Sequence, residues 1–226
     1  MLQLNRMRGA GLAALLGGIL QAAVMLWQTR QLILYQALVY HVTWNWNVSK
    51  EYRLAAISPW LFFLLALILL HLSVVPWLKR PGWIAISGVI FGILAIMISE
   101  AGMILIADPN CYPGILCRQP DFGPFAILSG IGVGGVVLVS GGLLFYGIAL
   151  MRVKFSRQWA IASLILGLLA LHTSIVITEA ALRLSGFFKI DPVAIGLGLA
   201  WALAWLGVGM TLWLRATTYE RQLSAR

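Results

Sequence analysis

The sequence predicts an all-α integral membrane protein of six transmembrane helices, with both chain ends on the cytoplasmic side. Three observations predict it. Of the 226 residues, 61% are hydrophobic and only 10% are charged, against roughly 25% charged in a soluble domain. The apolar residues fall in continuous runs without period-two alternation, so they read as helices and not as strands of a barrel. Six of those runs, at about 9–28, 56–78, 83–106, 125–151, 159–182 and 192–214, reach the roughly 20 residues that a bilayer core requires. Little chain remains between them, so residues 1–226 read as a single polytopic membrane domain.

The first run follows MLQLNRMR, a basic start that a cleaved signal peptide would share. The residues after it, QAAVMLWQ, hold no small-x-small cleavage pattern, and helix 1 is expected to be retained. Helices 2 and 3 are divided by the break at LKRPG, 78–82. Helix 4 carries the stretch SGIGVGGVVLVSGG at 129–142, and glycines of this density let helix backbones approach closely in lipid. In helix 5, His172, Glu179 and Arg183 share one face at spacings of seven and four. Trp201 and Trp205, four apart in the middle of helix 6, offer either a packing face or a ligand-stacking face.

Short patterns recur at LLGGIL (15–20), IFGILAI (90–96) and ILGLLAL (165–171), aligning Gly18, Gly92 and Gly167. The chain therefore reads either as three repeated helical hairpins or as a two-hairpin repeat of helices 2–3 with 4–5, all copies running the same way through the membrane. That is unlike the inverted repeats of many secondary transporters.

Orientation follows from charge. With the N-terminus inside, the short inner segments hold Arg6, Arg8, Lys79, Arg80, Arg152, Lys154, Arg157, Arg215, Arg221 and Arg226, ten of the 16 basic residues. Glu220 is the one acid among them. This is the positive-inside pattern. It also accounts for the +9 net charge without a nucleic-acid partner, since attraction to anionic inner-leaflet lipids explains basic helix flanks. The expected location is a bacterial cytoplasmic membrane, with loops 29–55, 107–124 and 183–191 outside. Trp27 and Trp60 then fall at outer helix ends, and Trp77, Trp83, Trp159 and Trp213 at inner ends, as an aromatic belt requires.

Two outer loops invite function. In loop 29–55, RQLILYQALVYH has helical apolar spacing, which suits an extension of helix 1 or an interfacial helix, and VTWNWNVS alternates, placing Trp44 and Trp46 on one side as partner-docking candidates. In loop 107–124, Cys111 and Cys117 flank Pro113-Gly114. An oxidising compartment favours a structural disulfide between them. A redox-active pair is the alternative, and a zinc site would be half built, with two thiols and no nearby histidine.

Ionisable groups inside spanning helices are costly, roughly 2.5–3.5 kcal/mol each at the centre by insertion scales. Glu100, His172, Glu179 and Arg183 are therefore the ligand-binding candidates. Glu179 can pair with Arg183 at i, i+4, whereas Glu100 has no local cation in the sequence. His71 and His172 raise a bis-imidazole haem, but their expected depths differ by about 8–10 Å, so each reads better as a hydrogen-bonded interhelical histidine. No cofactor is predicted. The chain has no phosphate-binding glycine loop, HExxH or G-x-S-x-G motif.

Three readings follow. The first is a non-catalytic membrane subunit or a lipid- or small-molecule-binding module, packing with other membrane proteins or with its own copies. The second is a small carrier with an outward pocket around Glu100, Glu179 and His172. The third is a membrane redox protein using Cys111 and Cys117 or a histidine-ligated haem.

Overall fold

The computed structural model describes the backbone of residues 2–38, 50–106, 122–152, 157–182 and 192–224. Within these it describes the side chains of 3–27, 57–73, 81–102, 105, 124, 127–152, 157–170 and 196–218. Five helical elements result: α1 (Leu2–Leu38), α2 (Lys50–Ile106), α3 (Phe122–Arg152), α4 (Arg157–Leu182) and α5 (Pro192–Ser224).

α2 is two helices in one. Its 57 residues would stretch about 85 Å if straight, yet distant parts of it meet the same turn of α3. The Tyr146 hydroxyl lies 3.4 Å from His71 Nδ1, while Gly142, one turn back on α3, packs on Ala85 and Val89. The His71 and Trp83 rings are 4.3 Å apart, across a segment that a straight helix would extend by about 18 Å. The element therefore doubles back between Ser73 and Pro81. The sequence supplies the reason: Pro76 and Pro81 each lack an N–H and crowd the turn before them.

The protein thus has an all-α fold of six helical segments. Gln3–Trp27, Pro81–Gly102, Ile127–Arg152 and Gly196–Thr218 are long and apolar enough to cross a membrane. Ile57–Ser73 and Arg157–Ala170 are shorter apolar helices within the described side chains.

Several boundaries differ from the expected ones, and α1 already begins at Leu2. α1 continues through 29–38 and α2 begins at Lys50, so much of the expected loop 29–55 is helix. RQLILYQAL consists largely of good helix formers and nothing in it breaks the run. The expected helices 56–78 and 83–106 form one bent element without an intervening loop. α5 runs ten residues beyond 214, to Ser224, because the polar stretch after Arg215 lacks glycine and proline.

The six segments close into a ring in chain order. α1 packs on the first arm of α2 and on α5, the second arm packs on α3, α3 packs on α4, and α4 meets α5. Neighbours run antiparallel. Gly11 faces Gly209 while Gly18 faces Ala202, and Gly92 faces Gly135 while Gly142 faces Ala85.

The seams are held by backbone proximity. A Cβ on Gly92 would lie 2.6 Å from Gly135 O and 2.7 Å from Val139 N, so only glycine fits there. Outward faces carry large apolar side chains, including Ile84 at 75%, Phe145 at 68% and Phe91 and Leu203 at 65% exposure. So continuous an apolar exterior has no place in water. It is the surface of a membrane protein.

Candidate functional site

The interior of the ring is aromatic. Phe63, fully buried on the first arm of α2, stacks on Trp205 of α5 with ring centroids 4.4 Å apart and planes 16° apart. It meets Trp201 edge-on at 6.2 Å and Trp60 edge-on at 5.9 Å. Trp201 and Trp205 are both buried, on the one face that a four-residue spacing provides. Among the described residues, no Cα of α5 comes within 8 Å of one in α2. Large rings bridge a gap that the backbones leave open, so the packing reading of Trp201 and Trp205 is the observed one.

Next to this stack His71 makes the interhelical contact expected of it, with a partner, Tyr146, that the sequence reading did not single out. Tyr146 and His71, each 2% exposed, approach through Oη and Nδ1 at 3.4 Å, a long hydrogen bond. The His71 ring also sits edge-on to Trp83. His71 Nε2 and Trp205 Nε1 are buried and find no hydrogen-bond partner among the described residues.

Three buried serines tie helices together, while a fourth, Ser73, donates to Leu69 O of its own helix. Ser99 donates to Leu128 O, Ser140 to Gly167 O and Ser163 to Leu143 O, each at 2.7 Å.

A small apolar groove lies among α2, α3, α4 and α5. Trp205, Val208, Trp159, Ala162, Leu166 and Tyr146 are among its walls, and its volume is about 30 Å³. The wall is almost wholly hydrocarbon, since the Ser163 hydroxyl is turned to Leu143 O and the Tyr146 hydroxyl to His71. At the end of the bundle near Trp159, the Arg215 guanidinium lies 5.7 Å from the Trp159 ring centroid and donates to Gln158 Oε1. Arg152 and Arg157 are exposed at the same end. Arg6 donates to Leu72 O there, at 3.4 Å.

Two expected belt residues turn out to face inward. Trp159 is 7% exposed and lines the groove, and Trp60 joins the aromatic stack. Trp83 and Trp213 are exposed, as expected. A sequence gives the depth of such a ring but not the rotation of its helix.

Of the ligand-binding candidates, Glu100 is half-buried near the end of α2's second arm, beside Ser99. The positions of His172 and Glu179 are on α4, with side chains outside the described set. The Glu100 and Glu179 positions lie at the end of the bundle opposite the arginines. Arg183, Cys111, Cys117, Trp44 and Trp46 lie outside the described residues. Among the described residues, no group of three His, Cys, Asp or Glu side chains could hold a metal ion.

No family model matches this chain, and neither a curated protein nor a solved structure matches it. Fold and exterior together define a helical membrane protein, and its particular role has to be argued from its own residues.

Proposed function

We propose that the chain is a non-catalytic integral membrane module that packs against another membrane helix and holds lipid, in a bacterial cytoplasmic membrane with both ends inside. The observation that carries this reading is the division of glycines on α3. Gly135 and Gly142 are in contact with α2's second arm. Gly130, Gly134 and Gly141 have nothing within 4 Å of where a Cβ would be. The second set recurs at spacings of four and seven, on one face with the exposed Ile127, Leu138 and Phe145. Small residues in such a row let a second transmembrane helix approach closely. The buried hydroxyls support the same reading, because they join helices to one another.

The test is native mass spectrometry of the protein extracted from its membrane in a mild detergent. A stoichiometric partner chain or second copy is expected, lost on Gly134→Leu with the monomer still folded. A lone chain would overturn the subunit reading. If that lone chain supported uptake that Glu100→Gln abolished, the carrier reading would replace it. The intact mass, two hydrogens light or not, decides whether Cys111 and Cys117 are joined.

A further inference from the structure

We infer that the ring is built of two packed bodies, α1 with α5 and the second arm of α2 with α3 and α4, which shift against each other as units. The first arm of α2 is the hinged link between them.

The first support is how each seam is closed. Within each body, backbones touch. A Cβ on Gly209 would lie 2.7 Å from Leu15 N, and one on Gly11 would lie 2.9 Å from Trp213 N, both where α1 meets α5. A Cβ on Gly142 would lie 2.9 Å from Ala85 O, and one on Gly147 2.9 Å from Ala160 O, joining α3 to α2 and to α4. The three serine bonds between helices all fall inside the larger body: Ser99 to α3, Ser140 to α4 and Ser163 to α3. Close-packed backbones of this kind transmit a displacement instead of absorbing it.

Between the bodies the contacts are of another kind. The nearest neighbours of Gly9 and Gly17 on the first arm of α2 are side-chain atoms of Leu69, Phe62 and Phe63. No described glycine of α4 or α5 has the other helix among its nearest neighbours. Phe63 reaches Trp201 and Trp205 through rings alone. A shift of packed helices by about 1–2 Å needs side chains that can re-pack, and these seams supply them.

The third support is the hinge and what clasps it. Pro76 offers no N–H to the Leu72 carbonyl, and the chain reverses between Ser73 and Pro81. α1 supplies donors instead: Arg6 Nη1 to Leu72 O at 3.4 Å and Gln3 Nε2 to Ser73 O at 3.0 Å. On the other flank, Arg215 of α5 donates to Gln158 of α4, its guanidinium 5.7 Å from the Trp159 ring centroid. The smaller body is thus held on both flanks at the basic end. The two arginine bonds are exposed, so water can replace them when the bodies part.

The experiment is double electron–electron resonance in lipid nanodiscs, with nitroxides on genetically encoded keto side chains so that Cys111 and Cys117 stay untouched. Ile19 of α1 with Met210 of α5 reports inside the smaller body, and Ile98 of α2 with Phe145 of α3 inside the larger; all four are exposed. Ile19 with Phe145 spans the two. Replacing Gln3, Arg6 and Arg215 together by Met removes the clasps. The spanning distance should then shift or broaden by about 2 Å, the scale of a helix shift, while both internal distances hold. Arg215→Met alone should give part of that change, which keeps the test meaningful if the triple variant fails to fold. Arg152→Met, at an exposed arginine of the same end, should move none of the three distances. A spanning distance unmoved by the triple change would overturn the inference. So would internal distances that broaden with it, or an equal shift on Arg152→Met, which would assign the effect to charge and not to the clasps.

Discussion

The α2–α3 seam and the space between α2 and α5 fill the same ring by opposite means. At the seam, Gly92 and Gly135 bring backbones so close that a Cβ on either would lie 2.6 Å from the other's carbonyl oxygen. Across the ring, Phe63, Trp201 and Trp205 fill a gap where described Cα atoms stay more than 8 Å apart. The difference follows from the solvent. In lipid, helices gain nothing by hiding apolar side chains from hydrocarbon, so association rests on contact and interhelical hydrogen bonds. Glycine maximises backbone contact where two helices touch. Aromatic rings restore contact where ring closure holds two helices apart.

Gly92→Leu should have the largest effect, because its side chain would meet Gly135 O and Val139 N and could not rotate away. Overpacking of this kind costs about 3 kcal/mol, roughly 10 °C of melting temperature in detergent. An unchanged melting temperature would mean that the seam is not that close. Phe63→Ala should come second, at about 2 kcal/mol. That is below the usual Phe→Ala cost because the transfer-from-water part is missing in lipid. Near-ultraviolet dichroism from Trp201 and Trp205 should weaken with it, and an unaltered spectrum would contradict the stack. Tyr146→Phe deletes one long hydrogen bond and should cost about 0.6–1 kcal/mol. A double-mutant cycle with His71→Ala measures that coupling, and a zero result would remove the pair. Gly134→Ala should be neutral or stabilising by a few tenths of a kcal/mol in the monomer, since alanine favours a helix over glycine. A loss above about 1 kcal/mol in the monomer would show that this face of α3 is not open.

Much of the fold was legible because bilayer thickness imposes a length on every helix, and the apolar runs carry that length directly. The prolines around Lys79 marked the reversal in α2, though not that helical backbone continues through it. Partner choice was not legible. Gly18, Gly92 and Gly167 occupy matching sequence patterns, yet Gly18 meets α5 while Gly92 and Gly167 both meet α3. One local pattern serves different neighbours, because the ring and not the hairpin decides which helix lies alongside. The site was less legible still. His71 was visible as a lone buried histidine, but Tyr146 comes from a helix read only for its glycines. The groove needs four helices at once, which no linear pattern encodes.

The ring with an aromatic interior is tested most directly by ¹⁹F NMR of protein carrying 5-fluorotryptophan, in bilayers doped with chain-labelled nitroxide lipid. Single Trp→Phe changes assign the resonances. Trp83, at 48% exposure, and Trp213, at 39%, should broaden strongly, while Trp201, at 4%, should stay sharp. A Trp201 resonance broadened as much as that of Trp213 would place it against lipid and contradict the ring.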